Sequence, residues 1–246
     1  MGKSFFSIPT PIIAMVTGDT VEVMKETAAK ALADGADGIG FCMEMLTMEE
    51  RTDEQITDLF RSCGDRPVYA TCYRSSNSKG CTDDECVDYM MQCLRCGATL
   101  GDVMGDLYHI EPTGMTFDPE AAEKQKLLIE KIHAMGKEVL ISTHTKKFLE
   151  PEEMLRYALG QQERGTDIIK LVGYAQDEEQ LVANMKTVSL FKKELKKPFI
   201  LLANGPMCKP LRLDGAAKGV CTYLCRTTPE GEQPLVSTAK FWRDEM

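Results

Sequence analysis

The chain has 246 residues, 43% of them hydrophobic and 27% charged, with a formal net charge of -9 and a pI near 5.0. That composition can bury a large core and excludes a disordered or low-complexity chain, while the acidic balance, with no segment rich in lysine or arginine, argues against a nucleic-acid partner. No apolar stretch approaches the ~20 residues of a membrane helix, and the start, Met1 to Ser7, has no sustained apolar run, so the expectation is a cytoplasmic protein without membrane association.

Short apolar runs alternate with longer amphipathic ones along the whole chain. A first strand is expected over residues 11–17 and a helix over 20–34, opened by the N-cap and acidic first turn of Asp19-Thr-Val-Glu-Val. A strand at 38–45 precedes a helix at 52–63, and a strand at 67–74 precedes a helix at 82–96, opened by Thr82-Asp-Asp-Glu-Cys. The remaining pairs are strand 99–105 with helix 118–135, strand 138–145 with helix 150–164, strand 167–175 with helix 177–195, strand 198–204 with helix 208–217, and strand 220–226 with helix 234–245. Gly35, Gly97, Gly136 and Gly165 close helices, and the phrases Gly35-Ala-Asp, Gly97-Ala-Thr and Gly165-Thr-Asp each introduce a strand, as one repeated unit would. Strands separated by helices must run parallel, because a hairpin link would be far shorter. Eight such units predict one α/β domain over residues 1–246, a (β/α)8 TIM barrel. An open doubly wound sheet is the alternative, but no glycine-rich phosphate fingerprint follows the first strand.

Ten scattered cysteines without a secretory signal read as reduced thiols. Cys86, Cys93 and Cys96 recur at helical offsets, the pattern of one buried helix face rather than of a metal site, so neither a metal nor an organic cofactor is expected. In a barrel the strand ends converge on one mouth, which would gather Thr17, Glu44, Arg74, Asp106, His144, Lys170, Asn204 and Arg226. Lys170 lies inside the apolar run Asp167-Ile-Ile-Lys-Leu-Val-Gly173, with Ile168 and Val172 on its face and Ile169 and Leu171 on the other. Two readings of it stand: a lysine whose ammonium snorkels to solvent, or an amine whose burial favours the neutral form that attacks a carbonyl. His144, one of three histidines, ends the neighbouring strand and favours the second. An imine at Lys170 acidifies the adjacent C–H, a histidine there removes the proton, and the resulting imidazolium protonates a departing β-hydroxyl.

At these residues the chain resembles the type I 3-dehydroquinate dehydratases, Schiff-base enzymes of the shikimate pathway and aromatic amino acid biosynthesis. The likeness rests on Ile141-Ser-Thr-His144, on Gly165-Thr-Asp-Ile-Ile-Lys170-Leu-Val, on Tyr73-Arg74-Ser75, on the spacing from Gly205 to Arg212, and on the closing loop Thr228-Pro-Glu-Gly-Glu-Gln233-Pro. The resemblance implies Lys170 and His144 as catalytic residues, Arg74, Arg212, Gln233 and Thr228 as substrate contacts, a small keto acid as substrate, no cofactor, and a homodimer. It also implies that Arg212 clamps the substrate carboxylate and that Gln233 is a hydrogen-bonding lid.

Several positions depart from the family pattern. Gly40-Phe-Cys42 stands where the family has Glu-x-Arg, Glu44 where it commonly has aspartate, Ser78 in place of a glutamate, and Met104 in place of a fourth-strand carboxylate that orients the histidine. The closing loop carries the additional acids Glu230 and Glu232. These departures predict a related but less, or differently, hydroxylated substrate. Two alternatives remain: a class I aldolase using the same lysine, and an inactive metabolite-binding barrel.

Overall fold

The structure, a computed structural model, describes residues 4–228 and 231–245, with only the main chain of Phe6. Glu230 lies outside the described residues. Eight strands, β1 (Ile12–Val16), β2 (Gly38–Cys42), β3 (Val68–Thr71), β4 (Leu100–Met104), β5 (Glu138–His144), β6 (Ile168–Tyr174), β7 (Phe199–Asn204) and β8 (Tyr223–Cys225), alternate with eight helices. The helices are α1 (Val21–Ala33), α2 (Asp53–Arg61), α3 (Asp83–Cys96), α4 (Pro119–Ala134), α5 (Pro151–Glu163), α6 (Glu178–Glu194), α7 (Lys209–Lys218) and α8 (Val236–Glu245). All neighbouring strands are parallel, in the order β7-β6-β5-β4-β3-β2-β1-β8, which is the order of a (β/α)8 barrel. No ladder joins β7 to β8 among the described residues. The Cys221 N–H, donating to the Phe199 carbonyl at 2.9 Å, bridges that seam.

Local chemistry accounts for the element ends. Thr82 and Glu85 form a capping box at the start of α3, and Gly97 closes the helix at a φ of 130°, a value a side chain would oppose. Cys86 and Cys93 lie on the buried side of α3, with the Cys93 and Cys72 sulfurs 4.0 Å apart. Strands expected through residues 45 and 74 end at Cys42 and Thr71, and residues 43–45 and 76–78 turn into short 3-10 helices. Arg51 holds the first of these turns: its guanidinium donates to the Leu46 carbonyl at 2.8 Å and to the Glu44 carbonyl at 3.3 Å, taking main-chain acceptors that a neighbouring strand would otherwise fill.

The alternation of strand side chains divides the core in two. Ile39, Phe41, Ala70, Cys72, Val103 and Ile141 face outward beneath the helices. Ile13, Tyr69, Leu100, Leu140, Ile168 and Leu224 face inward and line an apolar cavity of about 220 Å³ at the amino-terminal end of the barrel, where Phe5 packs edge-on against Tyr69. Lys170 shares its strand face with Ile168, so the period of two directs its side chain into the barrel, one step above this apolar floor.

The main chain at Lys170 is clamped from outside. The buried amide of Gln161 on α5 accepts from the Lys170 N–H at 3.1 Å, and donates to the Lys170 carbonyl at 3.2 Å and to the Thr143 hydroxyl at 3.0 Å.

Candidate active site

Lys170 is 3% exposed, and its ammonium has three acceptors. They are the Tyr69 hydroxyl at 2.8 Å, the Tyr73 hydroxyl at 3.1 Å and Asp102 Oδ2 at 3.3 Å. The Asp102 carboxylate is itself saturated: Oδ2 receives the Tyr69 hydroxyl in a short bond and the Tyr73 hydroxyl at 2.5 Å, and Oδ1 receives the Ser142 hydroxyl at 2.5 Å. Four neighbouring strands and the turn after β3 supply this cluster: Lys170 and Ser142 are level with each other, Asp102 lies one inward step below Ser142, Tyr69 lies one step lower again, and Tyr73 reaches in from just past the end of β3. A charge pair removed from water must satisfy its remaining lone pairs and protons to persist, and here each partner does. Burial, then the Asp102 charge, pushes both tyrosine pKa values well above the usual phenol value, so both hydroxyls stay protonated.

Gly40 explains how a tyrosine fits at this depth. A Cβ at that position would lie 2.4 Å from Met15 Sδ and 2.9 Å from Tyr69 Cδ1. The space that a side chain at residue 40, the first position of the Glu-x-Arg pattern, would need is therefore already filled by Met15 and Tyr69. Cys42, on the same face nearer the mouth, has its pKa pushed up to about 12 by burial and stays a neutral thiol. Glu44 is buried, accepts from the Thr71 hydroxyl at 2.8 Å, and has its pKa raised by burial.

His144 stands two residues beyond Ser142 on the same face of β5, at the mouth, with its ring edge-on to Tyr73 at 5.4 Å between centroids. Its ring is open to solvent, yet it stands over a dense barrel with two cations near it. Surrounding protein, then Lys170 and then Arg212, lowers its pKa from 6.5 to about 3. Solvent access softens the burial effect without changing its direction, and the imidazole is neutral near pH 7. Among the described residues no side chain hydrogen-bonds the ring. Strand four does carry an inward carboxylate, but it is Asp102, two residues below Met104, and it serves Lys170, the two tyrosines and Ser142 rather than the histidine.

The other expected contacts divide. Arg212, on α7, is 6% exposed, and donates from Nε to the Ala203 carbonyl at 2.9 Å and from Nη2 to Asn204 Oδ1 at 2.7 Å. Its Nη1 is buried without a partner, a donor position that an incoming anion would satisfy. Glu232 lies 3.9 Å from Nη2 and also accepts from the Gly205 N–H at 2.7 Å, tying the closing loop to the end of β7. Gln233 accepts from Arg226 Nε at 3.3 Å and lines, with Arg212 and Glu232, a cleft of about 220 Å³. Thr228 is exposed at the start of the closing loop. The Arg74 guanidinium is engaged by Asp83 at 2.8 Å and by Asp106 in a short bond, so the structure commits it to joining the third and fourth strand-end loops. Ser78 is buried and accepts from Arg51 Nη1 at 3.0 Å.

Asp102, Tyr69, Tyr73 and Ser142 belong to this candidate site by their contacts with Lys170 and with one another, and do not stand out as candidates in the sequence. Asp102 carried a usable signal, since a carboxylate within Leu100-Gly-Asp-Val-Met104 is as costly to bury alone as a lysine within β6.

A sequence model of the type I 3-dehydroquinase family matches residues 12–233. No curated protein sequence matches the chain. Among solved structures, the 3-dehydroquinate dehydratase of Geobacillus kaustophilus HTA426 superposes with a TM-score of 0.81 at 16% identity, covering 97% of this chain and 91% of that one. A type I 3-dehydroquinate dehydratase from Clostridium difficile, described with covalently modified comenic acid, gives a TM-score of 0.81 at 19% identity, with coverages of 96% and 92%. The enzyme from Enterococcus faecalis gives 0.76 at 14% identity, with coverages of 97% and 94%. At these identities the superpositions speak for the fold.

Gly40→Ala tests the packing around Tyr69. The added methyl overpacks Met15 and a tyrosine held by hydrogen bonds, with an expected cost of about 1–3 kcal/mol. The urea midpoint should fall, and adding Met15→Ala should recover part of the loss; a Gly40→Ala protein as stable as the parent would mean that Tyr69 is free to move.

Proposed function

The chain belongs to the type I 3-dehydroquinase family, and on that premise we propose that it is a carbon–oxygen lyase whose Lys170 forms an imine with 3-dehydroquinate or a related cyclic β-hydroxy keto acid. The observation that carries this reading is an amine buried in the barrel at one end of a hydrogen-bonded cluster, with a neutral imidazole directly above it. In this reading Lys170 adds to the ketone and expels water to give an iminium, and His144 takes a proton from the adjacent carbon, leaving an enamine. The imidazolium then returns that proton to the β-hydroxyl, a second water leaves, and hydrolysis frees the unsaturated ketone and Lys170. No metal or organic cofactor has a role in these steps.

Substrate recognition follows from the rim. The unpartnered Arg212 Nη1 is suited to a carboxylate, and Gln233 in the same cleft supplies an amide to the bound acid. Thr228 is proposed to contact the substrate only from the closing loop. Arg74 is proposed to act through its ion pairs, by holding the two loops beside the mouth. Met15 on β1, Cys42 on β2 and Met104 on β4 put thioether and thiol groups on the β1–β4 side of the barrel in place of charged partners for hydroxyls, which supports a ring acid with fewer hydroxyl groups on that side. A cytoplasmic, homodimeric, single-domain enzyme of aromatic amino acid biosynthesis accords with family membership and with the absence of any described helix long and apolar enough to cross a membrane. The aldolase alternative needs a base that acts on a hydroxyl proton, whereas His144 and the Arg212 carboxylate site fit α-proton removal from a carboxylated ring.

Three outcomes are expected. With a cyclic β-hydroxy keto acid and borohydride, intact mass should rise by one reduced adduct, mapped to Lys170 and lost in Lys170→Met, and an adduct on another lysine would overturn the assignment. His144→Ala should still be trapped but lose turnover by about 10²-fold or more. Because His144 must be neutral and its pKa is held low, the acid limb of the wild-type profile governed by His144 should lie well below pH 6.5; a limb near 6.5 would contradict the described electrostatics.

Arg212→Ala should chiefly raise KM for carboxylated substrates and leave an analogue without the carboxylate little affected. Equal losses on both would make Arg212 structural. Dehydroquinate itself should be a slower substrate than an analogue lacking a hydroxyl on the β2 side, and ordinary enzyme efficiency on dehydroquinate would remove the inference of altered specificity.

A further inference from the structure

Among the described residues His144 makes no hydrogen bond to Lys170, whose amine is bonded to Tyr69, Tyr73 and Asp102. The histidine sits at the mouth above carbon, whereas making an imine moves two protons off the lysine nitrogen, which lies one layer deeper. Around that nitrogen the structure places a different set of groups. Tyr73 is half-buried, lies between the ammonium and the mouth, and is 3.1 Å from Lys170 Nζ, 2.5 Å from Asp102 Oδ2 and 3.2 Å from Ser142 Oγ. Tyr69 contacts the same two charges from below and is closed off from the mouth. Ser142 holds the other carboxylate oxygen.

We propose that Asp102 and Tyr73 are the acid–base pair that makes and breaks the imine at Lys170, leaving His144 to work on carbon; the proposal rests on the imine reading of Lys170. A proton on Nζ passes to the Tyr73 oxygen while the Tyr73 hydroxyl proton passes to Asp102, leaving a neutral amine, a neutral phenol and a neutral carboxylic acid. The amine then bonds to the ketone carbon, the carbonyl π pair moves to oxygen, and the relay runs backward to protonate that oxygen. A second proton leaves the carbinolamine nitrogen by the same route, and its return to the hydroxyl releases water as the nitrogen lone pair forms the C=N bond. Two of the three ammonium protons thus leave on water, one remains on the iminium, and Asp102 and Tyr73 end as they began. Burial and the Asp102 charge keep the Tyr73 phenol protonated, so it passes a proton on without accumulating as phenolate. Ser142 is a positioning residue in this scheme, fixing the carboxylate so that Oδ2 meets Tyr73.

A cyclic ketone that cannot eliminate isolates these steps. With 3-oxocyclohexane-1-carboxylate, deuterated beside the ketone, in heavy-oxygen water, exchange of the ketone oxygen reports imine formation and hydrolysis, and loss of deuterium reports the histidine. Tyr73→Phe and Asp102→Asn should slow oxygen exchange, and slow the approach to the borohydride-trapped end-point, by about 10²-fold or more, with a similar end-point in Tyr73→Phe. His144→Ala should keep both rates within about threefold and lose deuterium exchange. A structural disturbance would lower the end-point and both exchanges together. Should Asp102→Asn fail to fold, Tyr73→Phe decides alone. Trapping in Tyr73→Phe at the wild-type rate, or an equal slowing of trapping in His144→Ala, would overturn the proposal while leaving the imine reading intact. Absence of any adduct on wild-type Lys170 with this ketone and with 3-dehydroquinate would overturn the imine reading and this proposal together.

Discussion

The pairing of the Lys170 ammonium with the Asp102 carboxylate, both side chains at most 4% exposed, is the constraint around which the barrel interior is arranged. Such a pair does little for stability by itself, yet removing either partner would leave a bare charge in the interior at a cost of about 3–5 kcal/mol. Its demands explain otherwise unrelated features. Two tyrosines, Tyr69 on β3 and Tyr73 just past its end, are spaced four residues apart so that both hydroxyls reach one oxygen, and Ser142 takes the other. Gly40 on the adjacent strand must lack a side chain so that Tyr69 can lie across it. Beneath Tyr69 the barrel is lined mainly by apolar side chains down to Phe5, so the pair finds its polar partners among Tyr69, Tyr73 and Ser142.

Above the pair, polarity rises toward the mouth. The imidazole of His144, held neutral by its surroundings, occupies the level where a substrate carbon would sit, and Arg212 adds a buried cation with one donor unspent. The Arg212 and Lys170 cations would attract a carboxylate and at the same time oppose protonation of the histidine, so the pull on an anion and the neutral state of the imidazole come from the same charges. Glu232 partly balances Arg212 from the closing loop and links that loop to the end of β7. Arg74, by contrast, is satisfied on both sides by Asp83 and Asp106, and its contribution is to loop position.

Much of this was legible in the chain. Every expected strand and helix exists, because apolar periodicity and helix caps are local signals, and the errors fall at ends that tertiary contacts decide, such as residues 43–45, where Arg51 takes the carbonyls. Lys170 and His144 could be found because a lysine in an apolar run and a rare histidine at a strand end are conspicuous. The face on which Lys170 points, the cluster it joins and the occupant of the space at Gly40 could not, since these depend on which strands meet across the barrel. Asp102 obeys the same rule as Lys170, but the family pattern points to Met104 for the strand-four carboxylate and so draws attention two residues past it.

The most direct measurement of the central claim is an NMR spectrum of the unreduced protein mixed with 3-oxocyclohexane-1-carboxylate isotopically labelled at the ketone carbon. The account predicts that part of the ketone resonance is replaced by a protein-bound iminium resonance that Lys170→Met abolishes and His144→Ala preserves. An iminium signal that survives in Lys170→Met would contradict it.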